Sequence, residues 1–158
     1  MNSECQRIAE QLRRAFTGQA WYGPPIVDLL GGIGPNEACA RPIAAAHNIW
    51  ELMLHIDFWL HAAIQATEGV AMPKLDGGRT DWPAPVTAEA LAWFDAQDRL
   101  FDNAEKLAQA IERFGDARLQ EAVPGRDYVF YRLFHGVAQH SIYHGGQIAV
   151  LKKALSGR

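Results

Sequence analysis

The chain has 158 residues and a formal net charge of −3, with 49% hydrophobic and 21% charged residues. These are globular values that exclude an intrinsically disordered chain, and a length that fits a single domain over residues 1–158. The mild acidity offers nothing to a nucleic acid or an anionic membrane, and two cysteines, Cys5 and Cys39, are too few for a disulfide framework. No run approaches the ~18 apolar residues of a membrane span, and the N-terminal stretch has no apolar signal core. A cytoplasmic protein is the expectation.

In chain order, Ser3 and Gln6 stand at the two ends of a capping box, and Ile8, Leu12 and Phe16 follow at helical spacing until Gly18. Pro25 opens a short helical piece over Ile26 to Leu30, closed by Gly31 and Gly32. Residues 31–46 read as irregular, with Gly34, Pro35 and Pro42 as breakers. Asn48 and Glu51 form a second capping box, ahead of a long helix reaching about Gly69 whose stripe is Ile49, Leu52, Ile56, Trp59 and Ala63. The connection from Val70 to Val86 carries Pro73, Gly77, Gly78, Pro83 and Pro85. Its Thr80 to Pro85 stretch is either a plain connector or a cover over one end of the helices.

Thr87 is the expected cap of a third long helix with stripe Leu91, Phe94, Phe101, Ala104, Ala108 and Ile111. Gly115 to Arg126 reads as a loop. Asp127 is the expected cap of the last helix, whose stripe is Phe130, Leu133, Val137, Ser141, His144, Ile148, Leu151 and Leu155. No segment alternates with period two, so no strand is expected. The fold class is all-α: a four-helix bundle with long crossover connections, because each connection exceeds the usual bundle turn.

The histidines carry the chemistry. There are six: His47, His55, His61, His135, His140 and His144. At about 100° per residue, His140 and His144 both fall on the inward side of the last helix, one turn apart. An i, i+4 pair is how a helix offers two imidazoles to one metal. On the second helix His55 lies at the edge of the apolar stripe. His61 lies nearly a half turn from Leu52, and His135 faces away from His144. His47 precedes the helix by roughly 12 Å of axial rise. The geometry therefore selects His55, His140 and His144. Two imidazoles in an apolar stripe each need a polar partner, at about 1–3 kcal/mol if left without one, and a shared metal satisfies both. The competing reading is a pair of core-edge histidines bonded to backbone or water.

Other patterns are absent. The sequence has no His-Glu-x-x-His, no Cys-x-x-Cys, no Gly-x-Ser-x-Gly and no phosphate-binding loop.

The segment from His135 to Ile148, with its His140-x-x-x-His144 pair followed by Gly146-Gln147, resembles the DinB-like superfamily, which includes the YfiT-type proteins. So do His47 to Ile56 with Trp59, and Trp21-Tyr22-Gly23-Pro24. The resemblance implies an up-down-down-up four-helix bundle, often a homodimer, in which His55, His140 and His144 bind one divalent metal ion. Characterised relatives transfer low-molecular-weight thiols to electrophiles or use such a thiol in isomerisation; others are described only as metal-dependent hydrolases.

Three imidazoles leave a coordination position open, and zinc or nickel suits them, as does iron. That position can serve a thiol S-transferase acting on a small-molecule substrate, a hydrolase, or a metal-binding module without activity. The expectation is the transferase, because an ionised thiol needs a base less than an attacking water does. Glu51, one turn before His55, is the sole candidate catalytic base, and its other role is the capping box. Gln147 is a candidate ligand-orienting residue and Tyr143 a candidate hydrogen-bond donor, with bundle packing the competing role of both; Trp21, Trp50, Phe58 and Trp59 read as core at helical spacing, with an apolar wall beside the metal as the alternative. Asp95, Asp98, Asp102, Arg99 and Lys106 read as a solvated helix face.

Overall fold

The computed structural model describes residues 2–74, 80–85 and 89–157. Six α-helices run in the order α1 (Glu4–Phe16), α2 (Ile26–Leu30), α3 (Pro35–Cys39), α4 (Ile49–Thr67), α5 (Ala90–Phe114) and α6 (Phe130–Ser156), with one 3-10 turn at Asp116–Arg118. Among the described residues there is no strand; the only bridges are isolated, at Ala20–Gly23 and Ala122–Val129.

Both capping boxes form as the sequence predicts. Ser3 and Gln6 exchange hydrogen bonds at the start of α1, and Asn48 and Glu51 do so at the start of α4. The remaining free N–H groups of α1 are met from far along the chain: Asp116 accepts from Glu4 and Cys5 at 2.8 and 2.9 Å. Within the expected irregular stretch, Pro35 begins α3 instead of breaking the chain. Proline suits a first helical position, and Glu37 accepts from the Gly34 N–H at 2.9 Å.

Two expected caps need comment. Thr87 lies outside the described residues. Asp127 does not cap α6; Val129 holds that position without a side-chain bond. The chain turns back on itself at the Ala122–Val129 bridge. The N–H groups of Phe130 and Tyr131 are then met by the carbonyls of Glu121 and Leu119, at 3.1 and 2.9 Å, so no side-chain cap is required there.

The inward face of α5 is rotated from expectation at its first turns. Leu91 and Phe94 are exposed, whereas Trp93, Ala96, Leu100 and Leu107 are buried. Trp93 fixes this orientation: its indole N–H donates to the Ile33 carbonyl at 2.9 Å, and its ring meets Trp50 edge-on at 5.1 Å. Arg99 is also not part of a purely solvated face. It reaches the buried Asp57 of α4 at 3.0 Å, and Asn103 donates to the other oxygen of that carboxylate at 2.7 Å. On α6 the predicted stripe is buried from Phe130 to Leu151, and Leu155 is half-buried.

α4 packs against α5 and α6, and α1 packs against the same two helices. The start of α1 lies at the end of α5, through Asp116, and beside the start of α6, through His135 and Glu4. α2 sits on α6, where the Lys152 ammonium donates to the Asp28, Leu29 and Gly31 carbonyls at 2.7–3.1 Å, closing the α2 C-terminus. No helix of the described residues is long and apolar enough to cross a membrane.

Candidate metal centre

Where α4 meets α6, His55, His140 and His144 converge. Their nearest ring nitrogens all lie within 4.8 Å of one another. The Nε2 of His140 stands 3.0 Å from the Nε2 of His55 and 3.0 Å from that of His144. Nitrogens bound tetrahedrally to one ion at about 2.1 Å are separated by about 3.4 Å, so small side-chain adjustments bring this set into register.

The opposite ring nitrogens explain why the lone pairs point inward. His55 Nδ1–H donates to the backbone carbonyl of Asp81. His144 Nδ1–H donates to Gln147 Oε1 at 2.8 Å. Each ring thereby spends its proton outward and presents a bare Nε2. A single proton on His140 Nε2 can serve only one of these two lone pairs. His140 Nδ1 is itself buried without a partner among the described residues. Three convergent nitrogens with too few protons between them can hold a metal ion, and that ion satisfies all three at once.

The protonation states agree. Burial lowers the pKa of His55, against the opposing pull of the Asp81 carbonyl. Burial lowers that of His144 as well. For His140, burial and then the neighbouring His144 and His55 push the pKa down to about 3. All three rings are neutral at pH 7, the form that ligates a metal.

The Thr80 to Pro85 segment covers this group. Trp82 stacks on His55 at 3.8 Å and 5°, and its other face stacks on His47 at 3.6 Å and 7°. Trp59 closes another side, edge-on to both His55 and His140 at 6.4 Å. Of Trp21, Trp50, Phe58 and Trp59, only Trp59 is in ring contact with the triad. Trp21 is exposed, and Trp50 is buried against Trp93. Asp81 and Trp82 were not singled out in the sequence; a tryptophan beside an acidic residue between glycines and prolines carries no periodic signal.

The other histidines stand apart from the triad. His61 is exposed. His135 Nε2 lies 3.6 Å from Glu4 Oε1. His47 reaches the triad only through Trp82. Glu51 spends its carboxylate in the α4 capping box, on Arg41 and on His47 Nδ1 at 3.2 Å. It is not one of the converging groups. Tyr143 is exposed, with its ring edge-on to His144 at 5.0 Å.

Two cavities abut the triad from opposite ends of the α6 site. One, of about 620 Å³, reaches His140 and is lined by Trp59, Met72, Tyr128 and Arg132 among others. The second, of about 680 Å³, reaches His144 and is lined by Ile43, Leu52, Trp82 and Val150, with no charged Lys, Arg, Asp or Glu in its wall.

Comparison with protein families matches residues 26–148 to the DinB superfamily, a span that contains all three histidines and the Asp81–Trp82 cover. The chain belongs to the DinB superfamily. Neither the curated proteins nor the solved structures give a match to it. The superfamily assignment, the all-α fold and the buried histidine triad agree with what the sequence motif implied.

Proposed function

We propose that this DinB-superfamily protein is a metal-dependent transferase that joins a low-molecular-weight thiol to a small apolar electrophile. The observation that carries this reading is the pair of cavities meeting different histidines of one triad. Two organic substrates need two approaches to one centre, whereas hydrolysis needs one approach and a water. Bound there, a divalent metal (zinc or nickel, with iron also suited to the donors) supplies a Lewis-acidic position where a thiol ionises near neutral pH.

The chain's own residues hold that position and keep water from it. Asp81 and Gln147 fix two imidazole tautomers, and Trp82 and Trp59 shield the rings. In the reaction the sulfur lone pair forms a carbon–sulfur bond, the leaving group departs with its bonding electrons, and the thiol proton passes to solvent. The protein's own sulfurs do not serve. Burial, with Asp116 beside it, raises the Cys5 thiol to about 11, and burial raises Cys39 also. Both stay protonated at neutral pH, so the nucleophile comes from a cosubstrate.

The fold reading that accompanies this is a single-domain four-helix bundle of α1, α4, α5 and α6, arranged up-down-down-up. Supporting it are the meeting of the α1 start with the α5 end and the α6 start. Near their starts Trp50 of α4 meets Trp93 of α5, and half-way along Asp57 meets Arg99 and Asn103, so these two helices run in the same direction.

The test is turnover of a chlorinated nitroarene with a panel of small thiols, using protein as purified without metal-affinity resin, chelated protein, and His144→Ala. Metal content is read by elemental analysis. Thiol- and metal-dependent turnover lost in His144→Ala supports the transferase. Metal-dependent hydrolysis of an ester or amide, with no gain over the uncatalysed thiol reaction, replaces it with the hydrolase.

A further inference from the structure

The cavity beside His140 differs from its counterpart in one respect: it contains a cation. Arg132, Gly136 and His140 follow one another at four-residue intervals on α6, and all three line this cavity. That spacing sets them in a row on one helix face, with eight residues, or about 12 Å of rise, between the arginine and the histidine. Gly136 leaves the floor between them open, since a Cβ there would meet nothing within 4 Å. At the far end the Arg132 guanidinium lies over the Tyr128 ring, 5.2 Å from its centroid. Among the described residues no carboxylate lies within ion-pair distance of it. The nearby Glu4, which approaches His135, is itself bound by Arg7. Trp59 and Met72 supply apolar walls along the way.

We infer that this cavity is the thiol subsite and that Arg132 binds a carboxylate at the far end of the thiol cosubstrate. The arginine fork matches a carboxylate in two parallel hydrogen bonds, and the ring beneath holds the guanidinium plane. The spacing selects length as well as charge. The ligand carries its sulfur at the His140 end and its carboxylate about two helical turns away, so a short mercaptoacid cannot satisfy both ends. The uncharged cavity at His144 is left to the apolar electrophile. This inference rests on the transferase reading for the sulfur, but the carboxylate contact is measurable without it.

The experiment uses cobalt-loaded full-length protein and three probes: 8-mercaptooctanoate, 8-mercaptooctanol and 3-mercaptopropionate. Calorimetry gives affinities, and the sulfur-to-cobalt charge-transfer absorption reports whether sulfur binds the metal. The long mercaptoacid is expected to bind about ten-fold more tightly than the long mercaptoalcohol, equivalent to about 1.4 kcal/mol. Arg132→Gln should erase that preference without changing alcohol binding, and Gly136→Phe should weaken both long probes.

Equal affinities for acid and alcohol in the wild type, or a preference that survives in Arg132→Gln, overturns the subsite. The absorption band separates the two ideas. A preference for the acid without the band keeps the carboxylate site and removes the thiol from the metal. A band with every thiol and no preference does the reverse. Arg132 is exposed, so its variant should fold; circular dichroism checks this.

Discussion

Gln147 accepts the Nδ1–H of His144 across 2.8 Å, one turn further along the same helix, and this bond decides which nitrogen of the ring faces His55 and His140. The four-residue spacing on α6 brings His140 and His144 to one side of the helix, and Gln147, three residues beyond His144, orients the second of them.

Replacing Gln147 by Leu keeps the side-chain bulk and removes the acceptor. The His144 ring is then free to turn and to change tautomer, so metal affinity should fall by about 10–100-fold, the usual effect of losing such a partner. Competition against a chromophoric chelator measures it. The thermal midpoint of the metal-free protein should move little, because Gln147 is only half-buried. Unchanged affinity would mean that the ring is oriented by packing alone.

His140 makes stability depend on pH in a definite direction. The unfolded chain takes up a proton on this ring near its ordinary value of 6.5, whereas the folded protein resists until about 3. Between those limits the unfolded state binds more protons. Stability is therefore complete above 6.5 and declines as the pH falls through the window. Burial gives His55 and His144 the same direction. Glu105 and Glu112, held low by Arg13, also lose stability on acidification, but only below their ordinary 4.5. Metal-free protein should thus show a falling thermal midpoint between pH 6.5 and 5, before the carboxylates titrate, and His140→Ala should flatten that slope. A midpoint independent of pH over this interval in the wild type would contradict the buried neutral triad.

The three converging histidines are legible in the sequence for a simple reason. They lie on two long helices whose apolar stripes are unambiguous, so the angle of each ring about its axis follows from residue number. The capping boxes at Ser3 and Asn48 were legible because they rest on bonds three residues apart. Asp81 and Trp82 were not, since their position depends on how a proline- and glycine-rich connection closes over the helices. The start of α5 misled for a related reason. Leu91 and Phe94 satisfy helical periodicity as well as Trp93 does, and the choice is made by Trp50 and the Ile33 carbonyl, which are distant in sequence.

Asp57 ties α4 to α5 from a position two residues beyond His55. Removing its carboxylate by Asp57→Ala leaves the buried Asn103 amide without that acceptor, which should cost about 1–3 kcal/mol in denaturant unfolding. Arg99→Met should cost less, because its side chain is half exposed and its ion pair is screened by solvent. Metal affinity should be retained in both, as two helical residues turn the chain by about 200° away from His55. A large loss of metal in Asp57→Ala would show that the α4–α5 tie sets the position of His55.

Trp82 lies between His47 and His55 with both rings nearly parallel to its own, so the cover over the triad is held by one indole stacked on two imidazoles. The backbone carbonyl that fixes the His55 tautomer belongs to the preceding residue, Asp81. Loss of the indole therefore acts on the metal through that carbonyl. In Trp82→Ala the cover loses its anchor and solvent reaches the rings, and the metal dissociation rate should rise about ten-fold, within the range for losing a ligand's supporting hydrogen bond. Trp82→Phe retains a flat ring between the imidazoles and should stay within a few-fold of wild type. His47→Ala removes one face of the stack but leaves the contact with His55, so its effect should fall between the two. Stopped-flow transfer of metal to an excess of chelator gives all three rates. If Trp82→Ala releases metal no faster than wild type, the segment from Thr80 to Pro85 is a connector that rests on the site without holding it.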